Sequence, residues 1–289
     1  ELLVDSEPVS GKQDNLGLFV DQQWAKGPWD AGVGLRFDDI SQKASVGEGT
    51  HVVLSTTARL NWHVSEQATL FARWSTGFRA PTLSEMYYRG VTPRGELLGN
   101  VELDPEESTS SELGVDVTRD RFSFSLAGYR TVIDDYIERF QKTATTRSYR
   151  NVGEGVIRGY EFRASYEPTV RWTHTFSYGG QSGRQSASGA WLADLNPNTW
   201  RYEAIWRPSR VVVRLNLSHR QDRPEYGSGE EPLGAVTLVN VALTWPEGPN
   251  WEWGISCINC SDQTFYGSAD DRAALQSGRA IAVNFSWKP

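Results

Sequence analysis

The strand pattern constrains this chain of 289 residues more than any other feature of its sequence. Thirteen segments alternate apolar and polar residues with a period of two, which is typical of β-strands with two different faces. The segments are 15–24, 30–38, 54–62, 68–77, 108–118, 122–138, 160–166, 172–178, 197–206, 210–220, 235–245, 251–260 and 281–287.

The connections between these segments alternate strictly in length. The short ones are 25–28, 63–67, 118–121, 168–170, 207–210 and 246–250, and the long ones are 39–50, 78–107, 139–154, 181–196, 221–233 and 261–277. Tight turns at one end and long loops at the other are the pattern of a transmembrane β-barrel, whereas a soluble sandwich mixes its loop lengths. We therefore predict an all-β antiparallel meander with the long loops together at one end.

The two faces of the predicted strands differ in polarity. One face carries charged residues such as Glu161, Arg163, Glu203 and Arg214. Such a face must be wet or must pack on a polar plug, so we predict that it points inward and that the apolar face meets lipid. The residues predicted to point outward are Phe122, Phe124, Val211, Val213, Leu215, Ile281, Val283 and Phe285.

Tryptophan placement also favours a membrane setting. Nine of the twelve tryptophans lie beside short connections or near the C-terminus, as in an aromatic girdle at a membrane interface. The alternative is a soluble β-rich adhesin or carbohydrate binder. The sequence contains no run of 18 apolar residues, so it predicts no transmembrane helix. The net charge of −7 argues against a nucleic-acid partner.

Two cysteines, Cys257 and Cys260, form a lone C-x-x-C. In a straight strand their Cα atoms lie about 10 Å apart, too far for a disulfide, but a turn or bulge would bring them together. A local disulfide and two free thiols therefore remain equally open. A zinc site is disfavoured because the four histidines lie far away in the sequence.

Four short motifs resemble a known family. They are GFRAP at residues 77–81, EMY at 85–87, GNVELDPE at 99–106 and SELG at 111–114. In this order they resemble the signature of TonB-dependent outer-membrane receptors, with Val101 where the family usually has proline. Residues 151–153 (NVG) and 159–161 (GYE) are similar to a further family segment. The resemblance extends over residues 15–289.

The resemblance implies a bacterial outer-membrane barrel of about 22 strands around a plug domain. Thirteen strands are an odd number and cannot close an antiparallel barrel, so we expect residues 1–289 to be the C-terminal portion of such a barrel. The plug and about nine strands would come from the same protein or from a second chain. We therefore predict an open, curved sheet in which residues 16–20 do not pair with residues 280–285.

The family implies energy-coupled uptake of a scarce nutrient, driven by TonB acting on the plug. A ferric siderophore or cobalamin is the predicted ligand. Haem is the alternative within the family, although residues 82–99 hold no histidine and only His51 could approach from a neighbouring loop. A smaller porin-type barrel is the alternative outside the family. No catalytic motif or cofactor is predicted.

Arginine and aromatic residues in the predicted outer loops are the candidate ligand contacts. Together they suit an anionic, ring-bearing ligand through charge and cation–π contact. Each of these residues could instead be a solvated loop residue that does not contact the ligand. Arg79 could also have a structural role in shaping the base of the loop. The predicted ligand-binding residues are Arg79, Tyr87, Tyr88, Arg94, Arg147, Tyr149 and Tyr226.

Overall fold

The computed structural model describes residues 11–44, 47–92, 95–248, 250–270 and 273–287. Its elements, in chain order, are β1 (Gly11–Lys26), β2 (Trp29–Ala44), β3 (Gly47–Ser65), β4 (Ala68–Arg79), α1 (Leu83–Tyr87), β5 (Arg89–Thr92), β6 (Gly95–Leu98), β7 (Glu106–Arg119), β8 (Phe122–Asp134), β9 (Ile137–Gln141), β10 (Thr146–Asn151), β11 (Gly155–Thr169), β12 (Trp172–Gln185), β13 (Thr199–Trp206), β14 (Val212–Arg220), β15 (Val236–Glu247), β16 (Trp251–Ile258) and β17 (Ala280–Trp287).

Thirteen of these strands form one antiparallel sheet, which we call the wall. Its order is β1-β2-β3-β4-β7-β8-β11-β12-β13-β14-β15-β16-β17. Each predicted strand segment corresponds to one strand of the wall. Successive strands of an antiparallel meander turn at opposite ends, so the short turns lie at one end and the connections between β4 and β7, β8 and β11, and later pairs lie at the other.

The wall is open, as predicted. Among the described residues, β1 pairs with β2 alone and β17 pairs with β16 alone. Each of these edge strands therefore presents a row of backbone groups without a partner in the described part of the chain. Such groups cost several kcal/mol each in hydrocarbon, so the edges require further strands in a membrane.

The register confirms the predicted faces. Phe124 lies opposite Val117 and Ala164, and Phe285 lies opposite Trp253, so apolar residues continue across the wall on one side. The other side is concave, because a single cavity of about 810 Å³ is lined by residues from β4 through β15. Arg163 is among the residues that line this cavity. The polar face is therefore the lumen.

Aromatic rings stack along the outward face at the end with the short turns. Trp29 and Trp62 lie 5.3 Å apart between ring centroids, and Trp172 and Trp206 lie 5.5 Å apart. These stacks form across neighbouring strands because the register places the rings directly opposite each other. The predicted aromatic girdle is therefore present at this end of the wall.

The connection predicted at 39–50 is not a long loop. β2 continues to Ala44 and β3 begins at Gly47, and these two residues lie opposite each other. β1, β2 and β3 contain 16, 16 and 19 residues and extend well beyond the membrane-spanning length. The hairpin therefore projects above the bilayer as continuous sheet.

Cys257 and Cys260 form a disulfide, with 5.6 Å between their Cα atoms. Asn259 between them has a φ of 50°, and this left-handed residue turns the chain enough to bring the cysteines together. The geometry selects the disulfide from the two alternatives that the spacing left open. Among the described residues, no helix is long and apolar enough to cross a membrane.

Candidate functional site

The connections at the outer end of the wall pack together into one unit. We call this unit, made of the described residues within 80–105, 135–153, 186–198, 221–235 and 259–279, the outer loop assembly. Its core is a second sheet of order β5-β6-β10-β9, in which β6 and β10 run parallel. This sheet joins the loop after β4 to the loop after β8.

Arg79, the last residue of β4, anchors the base of the assembly. Its guanidinium group holds Glu106 with two bonds of 2.8 Å, and its Nη1 lies 2.8 Å from an oxygen of Glu85. Glu106 in turn accepts a hydrogen bond of 2.8 Å from the backbone N–H of Ile137. One bidentate arginine therefore connects the end of β4, the start of β7, helix α1 and the start of β9.

Helix α1 is short and is stabilised by its N-cap. The Thr82 hydroxyl accepts from the backbone N–H of Glu85, and the Glu85 carboxylate accepts from the backbone N–H of Thr82. This reciprocal pair is a capping box. Glu85 thus both caps the helix and binds Arg79, which fixes the position of the buried Met86 and Tyr87.

Two asparagines fasten the loops to each other. The Asn100 side-chain amide donates to the Tyr149 carbonyl at 3.1 Å. Asn151 donates to the carbonyls of Asp104 and Asp135, at 3.0 and 2.6 Å, and accepts from the Asp104 backbone N–H. Each asparagine satisfies backbone groups that regular strand pairing leaves free at this point.

A cavity of about 460 Å³ lies within the outer loop assembly, above Arg79. Six carboxylates and two guanidinium groups are among the described residues that line it. The lining consists of Arg79, Glu85, Glu106, Tyr136, Ile137, Glu138, Arg139, Tyr149, Ala193, Asp194, Ser228, Gly229, Glu230 and Asp270. A volume of this size suits a small-molecule ligand.

Ion pairs balance most of the negative charge around the cavity. Arg150 lies 2.9 Å from Glu138, and Arg223 lies 3.3 Å from the buried Glu230. With Arg79 and Arg139 these make four guanidinium groups against six carboxylates. Among the described residues of the site, carboxylates therefore outnumber guanidinium groups.

The loops at 221–235 and 259–279 close the far side of the cavity. Arg139 lies 3.1 Å from Asp270, and the backbone N–H of Glu231 donates to the Ala269 carbonyl at 2.7 Å. Glu230 also accepts backbone hydrogen bonds from Asp194 and Gly227. These contacts join loops that are far apart in the sequence.

Two tyrosines contribute neutral hydroxyl groups to the lining. Burial raises the pKa of the Tyr136 hydroxyl well above its usual range, and Asp194 and Glu106 raise it further. Burial is also the main cause of the raised pKa of Tyr149. Tyr136 therefore stays protonated, and its hydroxyl donates to the Ala193 carbonyl at 3.3 Å.

The predicted contact residues do not all meet at this cavity. Arg79 and Tyr149 line it. Tyr87 is 2% exposed and belongs to the packed interior of the assembly, whereas Tyr226 is largely exposed. Tyr88 is half-buried.

Two of the predicted contact residues remain. Arg147 is buried within the small sheet, where its Nε donates to Gln141 at 3.1 Å. Arg94 lies outside the described residues. The ligand-binding role of the whole set stays a prediction.

Sequence reasoning missed most of the acidic lining. Residues 122–138 were predicted as one strand, but β8 ends at Asp134 and Glu138 lies in β9 of the small sheet. Glu230 lies in a Gly- and Ser-rich loop that has no periodic pattern. Only the pairing of loops across the assembly brings them to one cavity. Among the described residues, no group of three or more His, Cys, Asp or Glu side chains could hold a metal ion.

The fold and the site together define the wall of an outer-membrane receptor barrel. A family model described as TonB dependent receptor-like, beta-barrel matches residues 5–260. The chain belongs to the TonB-dependent receptors. This confirms the predicted family, and because the family consists of outer-membrane β-barrel proteins it also confirms the predicted location.

The chain is similar to three known proteins. It is 27% identical over 212 residues to "Hemoglobin-haptoglobin utilization protein B" of Neisseria meningitidis serogroup C, covering 72% of this chain and 25% of that protein. It is 22% identical to "Vitamin B12 transporter BtuB" of Photobacterium profundum, covering 81% of this chain and 37% of that protein. The fold of "Copper transporter OprC" matches with a TM-score of 0.84 at 17% identity, covering 96% of this chain and 48% of that one.

The chain spans between a quarter and a half of the length of these proteins. These relatives are named as a utilisation protein and two transporters, and none is named as an enzyme. The described residues correspond to barrel strands and their connections, without a plug domain among them.

Proposed function

We propose that this chain forms the C-terminal wall and part of the ligand vestibule of an energy-coupled outer-membrane uptake receptor. The observation that carries the proposal is the cavity of about 460 Å³, which is built on Arg79, Glu85 and Glu106 of the receptor signature. The remaining strands and a plug complete the receptor, and TonB acts through that plug. The ligand is a ferric siderophore or cobalamin.

The charge of the cavity lining ranks these candidate ligands. Six carboxylates and two guanidinium groups line the cavity, and with the paired arginines nearby the described residues of the site carry more negative than positive charge. A ferric catecholate carries several negative charges, which this lining repels. Cobalamin or a neutral ferric hydroxamate, each rich in amide groups, fits the carboxylates and tyrosine hydroxyls of the lining better than a catecholate does.

Haem is a second candidate because one histidine has a free nitrogen. His51 lies opposite the buried Ile40 on the inward face of the β2–β3 hairpin. Its Nε2 is buried and has no partner among the described residues. The relative named for haemoglobin–haptoglobin utilisation adds weight to this candidate.

Binding measurements on the whole receptor in detergent test the proposal. The probes are cyanocobalamin, a neutral ferric hydroxamate, a ferric catecholate and haemin, with tryptophan quenching as the readout. We expect tight binding of one of the first two and binding of the catecholate at least tenfold weaker. Binding of haemin that is lost in His51→Ala would select the second candidate. No binding of any of the four would contradict an uptake receptor for these nutrients.

A further inference from the structure

A disulfide closes the turn at which the wall ends and the last outer loop begins. Cys257 is the second-last residue of β16, and Cys260 lies two residues beyond the end of that strand. Both cysteines are partly exposed. Closing so short a loop removes little entropy from the unfolded chain, so the bond fixes the local geometry more than it stabilises the wall.

Asn259, between the two cysteines, holds both ends of the loop 259–279. Its side-chain amide donates to the carbonyls of Gln263 and Ser277, at 2.8 and 3.3 Å, and its Oδ1 accepts from the Gln263 backbone N–H at 2.9 Å. Asn259 is 4% exposed and has a φ of 50°. This left-handed conformation is unfavourable for residues other than glycine, and the disulfide restrains the chain on both sides of it.

Contacts along the loop connect this base to the tip. The backbone N–H of Gln276 donates to the Phe265 carbonyl at 2.9 Å, and Tyr266 and Leu275 form a β-bridge. The two sides of the loop are thus paired midway, so a displacement at the base is passed on to the tip. Arg220 of the wall donates to the Tyr266 carbonyl at 2.8 Å, so a loosened loop would shift without leaving the wall.

The tip of the same loop closes the cavity of the outer loop assembly. The backbone N–H of Glu231 donates to the Ala269 carbonyl at 2.7 Å. Asp270 lies 3.1 Å from Arg139 and forms a β-bridge with Glu230. Arg139, Glu230 and Asp270 all line the cavity of about 460 Å³. The disulfide at the base and the cavity wall at the tip therefore belong to one connected loop.

We propose that the Cys257–Cys260 disulfide is a redox-sensitive control of this closure. The loop 259–279 closes the cavity while the disulfide is intact and opens it after reduction by an external small-molecule dithiol. One thiolate of the dithiol attacks a cysteine sulfur, and its second thiol displaces the resulting mixed disulfide. The dithiol ends as a disulfide, and the two cysteines take up two electrons and two protons to become thiols.

Reduction acts through the conformation of Asn259. Once the bond is broken, the chain around Asn259 is free to leave the left-handed region, and the hydrogen bonds to Gln263 and Ser277 weaken. The loop base then loosens and the contacts of the tip with Arg139 and Glu231 are lost more often. This control depends on the loop and not on the nutrient that enters the cavity.

Hydrogen exchange of single amides in the whole receptor, with and without dithiothreitol, tests the proposal. The readout is the Glu231 amide, which is far from the cysteines in sequence and is protected by the Ala269 carbonyl. We expect its exchange to be at least about tenfold faster after reduction, because the tip then opens more often. The Leu233 amide, which donates to the Arg223 carbonyl at 3.0 Å within the loop 221–235, should not change.

Two variants separate the base of the loop from its tip. C257S/C260S should show the faster Glu231 exchange without dithiothreitol, and addition of dithiothreitol should change nothing further. D270N weakens the contact of the tip with Arg139 but leaves the disulfide intact. It should speed exchange of Glu231 and not of Gln263, whose amide donates to Asn259.

Faster exchange of Gln263 with unchanged exchange of Glu231 would overturn the proposal, because the disulfide would then act on the base alone. Faster exchange throughout the wall would also overturn it, by assigning the bond a structural role. So would a disulfide that dithiothreitol does not reduce in the folded receptor, measured by the mass added on alkylation of the freed thiols. Where C257S/C260S does not fold, the reduced wild type provides the comparison.

Discussion

The wall and the outer loop assembly are stabilised in different ways. In the wall, each strand repeats the same contact many times: an outward apolar residue packs on the outward residue of its neighbour, and the backbone pairs continuously. The assembly depends on single side chains that each join several segments, such as Arg79, Asn151 and Glu230. We therefore expect the loss of stability from a substitution in the wall to depend on how deep the residue lies in the membrane. In the assembly, the loss should depend on how many segments the residue connects.

The largest expected effect is a charge on the lipid face of the wall. Leu126, four residues beyond the start of β8, lies on the outward face opposite Val115 and Phe162. Leu126→Arg should lower the free energy of unfolding by about 2–4 kcal/mol, because a charged side chain near mid-bilayer must be desolvated. The measurement is a urea titration of the whole receptor folded into lipid vesicles.

A matched variant on the opposite face sharpens this prediction. Ser125 points into the lumen and donates to Asp116 at 2.7 Å. Ser125→Arg places the same charge one residue away but on the wet face, so it should cost less than about 1 kcal/mol. Equal losses for the two variants would contradict the assignment of the faces.

Next in size is the removal of Arg79 from the base of the assembly. Arg79→Ala leaves the mostly buried Glu85 and Glu106 without their cation, and we expect a local loss of about 2–3 kcal/mol. Residues 80–105 should then be cleaved readily by protease while the wall stays intact. Arg79→Lys should recover only part of the loss, because lysine cannot form the bidentate bond.

Arg73 provides the control for Arg79. It also pairs with a glutamate across β4 and β7, at 3.1 Å from Glu112, but this pair is solvent-exposed on the lumen face. Arg73→Ala should therefore change stability by less than about 1 kcal/mol. Protease resistance of residues 80–105 in Arg79→Ala would show that other contacts hold the assembly together.

The same contrast explains what the sequence could predict. All thirteen wall strands were predicted because a strand with lipid on one side and water on the other must alternate with a period of two. The prediction of a loop at 39–50 was wrong because the outward face of the projecting hairpin carries exposed polar residues, Lys43 and Glu48, while its inward face buries the polar Gln42. There the backbone pairing continues while the apolar signal stops.

The small sheet of the assembly has no such signal. β10 buries Thr146, Arg147 and Ser148. The Thr146 hydroxyl donates to Glu96 of the loop after β4, and the Nε of Arg147 donates to Gln141 of β9. Their roles depend on which loops meet, and a local pattern does not contain that information. The receptor motifs identified Arg79 and Glu85 through resemblance, whereas Glu230 and Asp270 required the three-dimensional packing.

The disulfide is expected to stabilise the assembly locally. Cys257→Ser combined with Cys260→Ser should cost at most about 2 kcal/mol, the value expected for closing so short a loop. The effect should be faster amide exchange around Asn259, whose side chain donates to the Gln263 carbonyl at 2.8 Å. Reducing agent should reproduce it in the wild type. Unchanged exchange in both cases would mean that Asn259 alone holds this turn.

The smallest expected effect distinguishes the capping of α1 from the connection of the loops through Arg79. Thr82→Ala removes the hydroxyl that caps α1 and should cost about 1 kcal/mol, with faster exchange of the Glu85 amide. Thr82→Ser should restore protection because it keeps the hydroxyl. Ser84→Ala, in the first turn and exposed, is the control and should change little.

Because Glu85 also binds Arg79, loss of the cap should leave residues 80–105 resistant to protease, unlike Arg79→Ala. Cleavage in Thr82→Ala to the same extent as in Arg79→Ala would mean that the capped helix, and not the arginine, holds the base of the assembly.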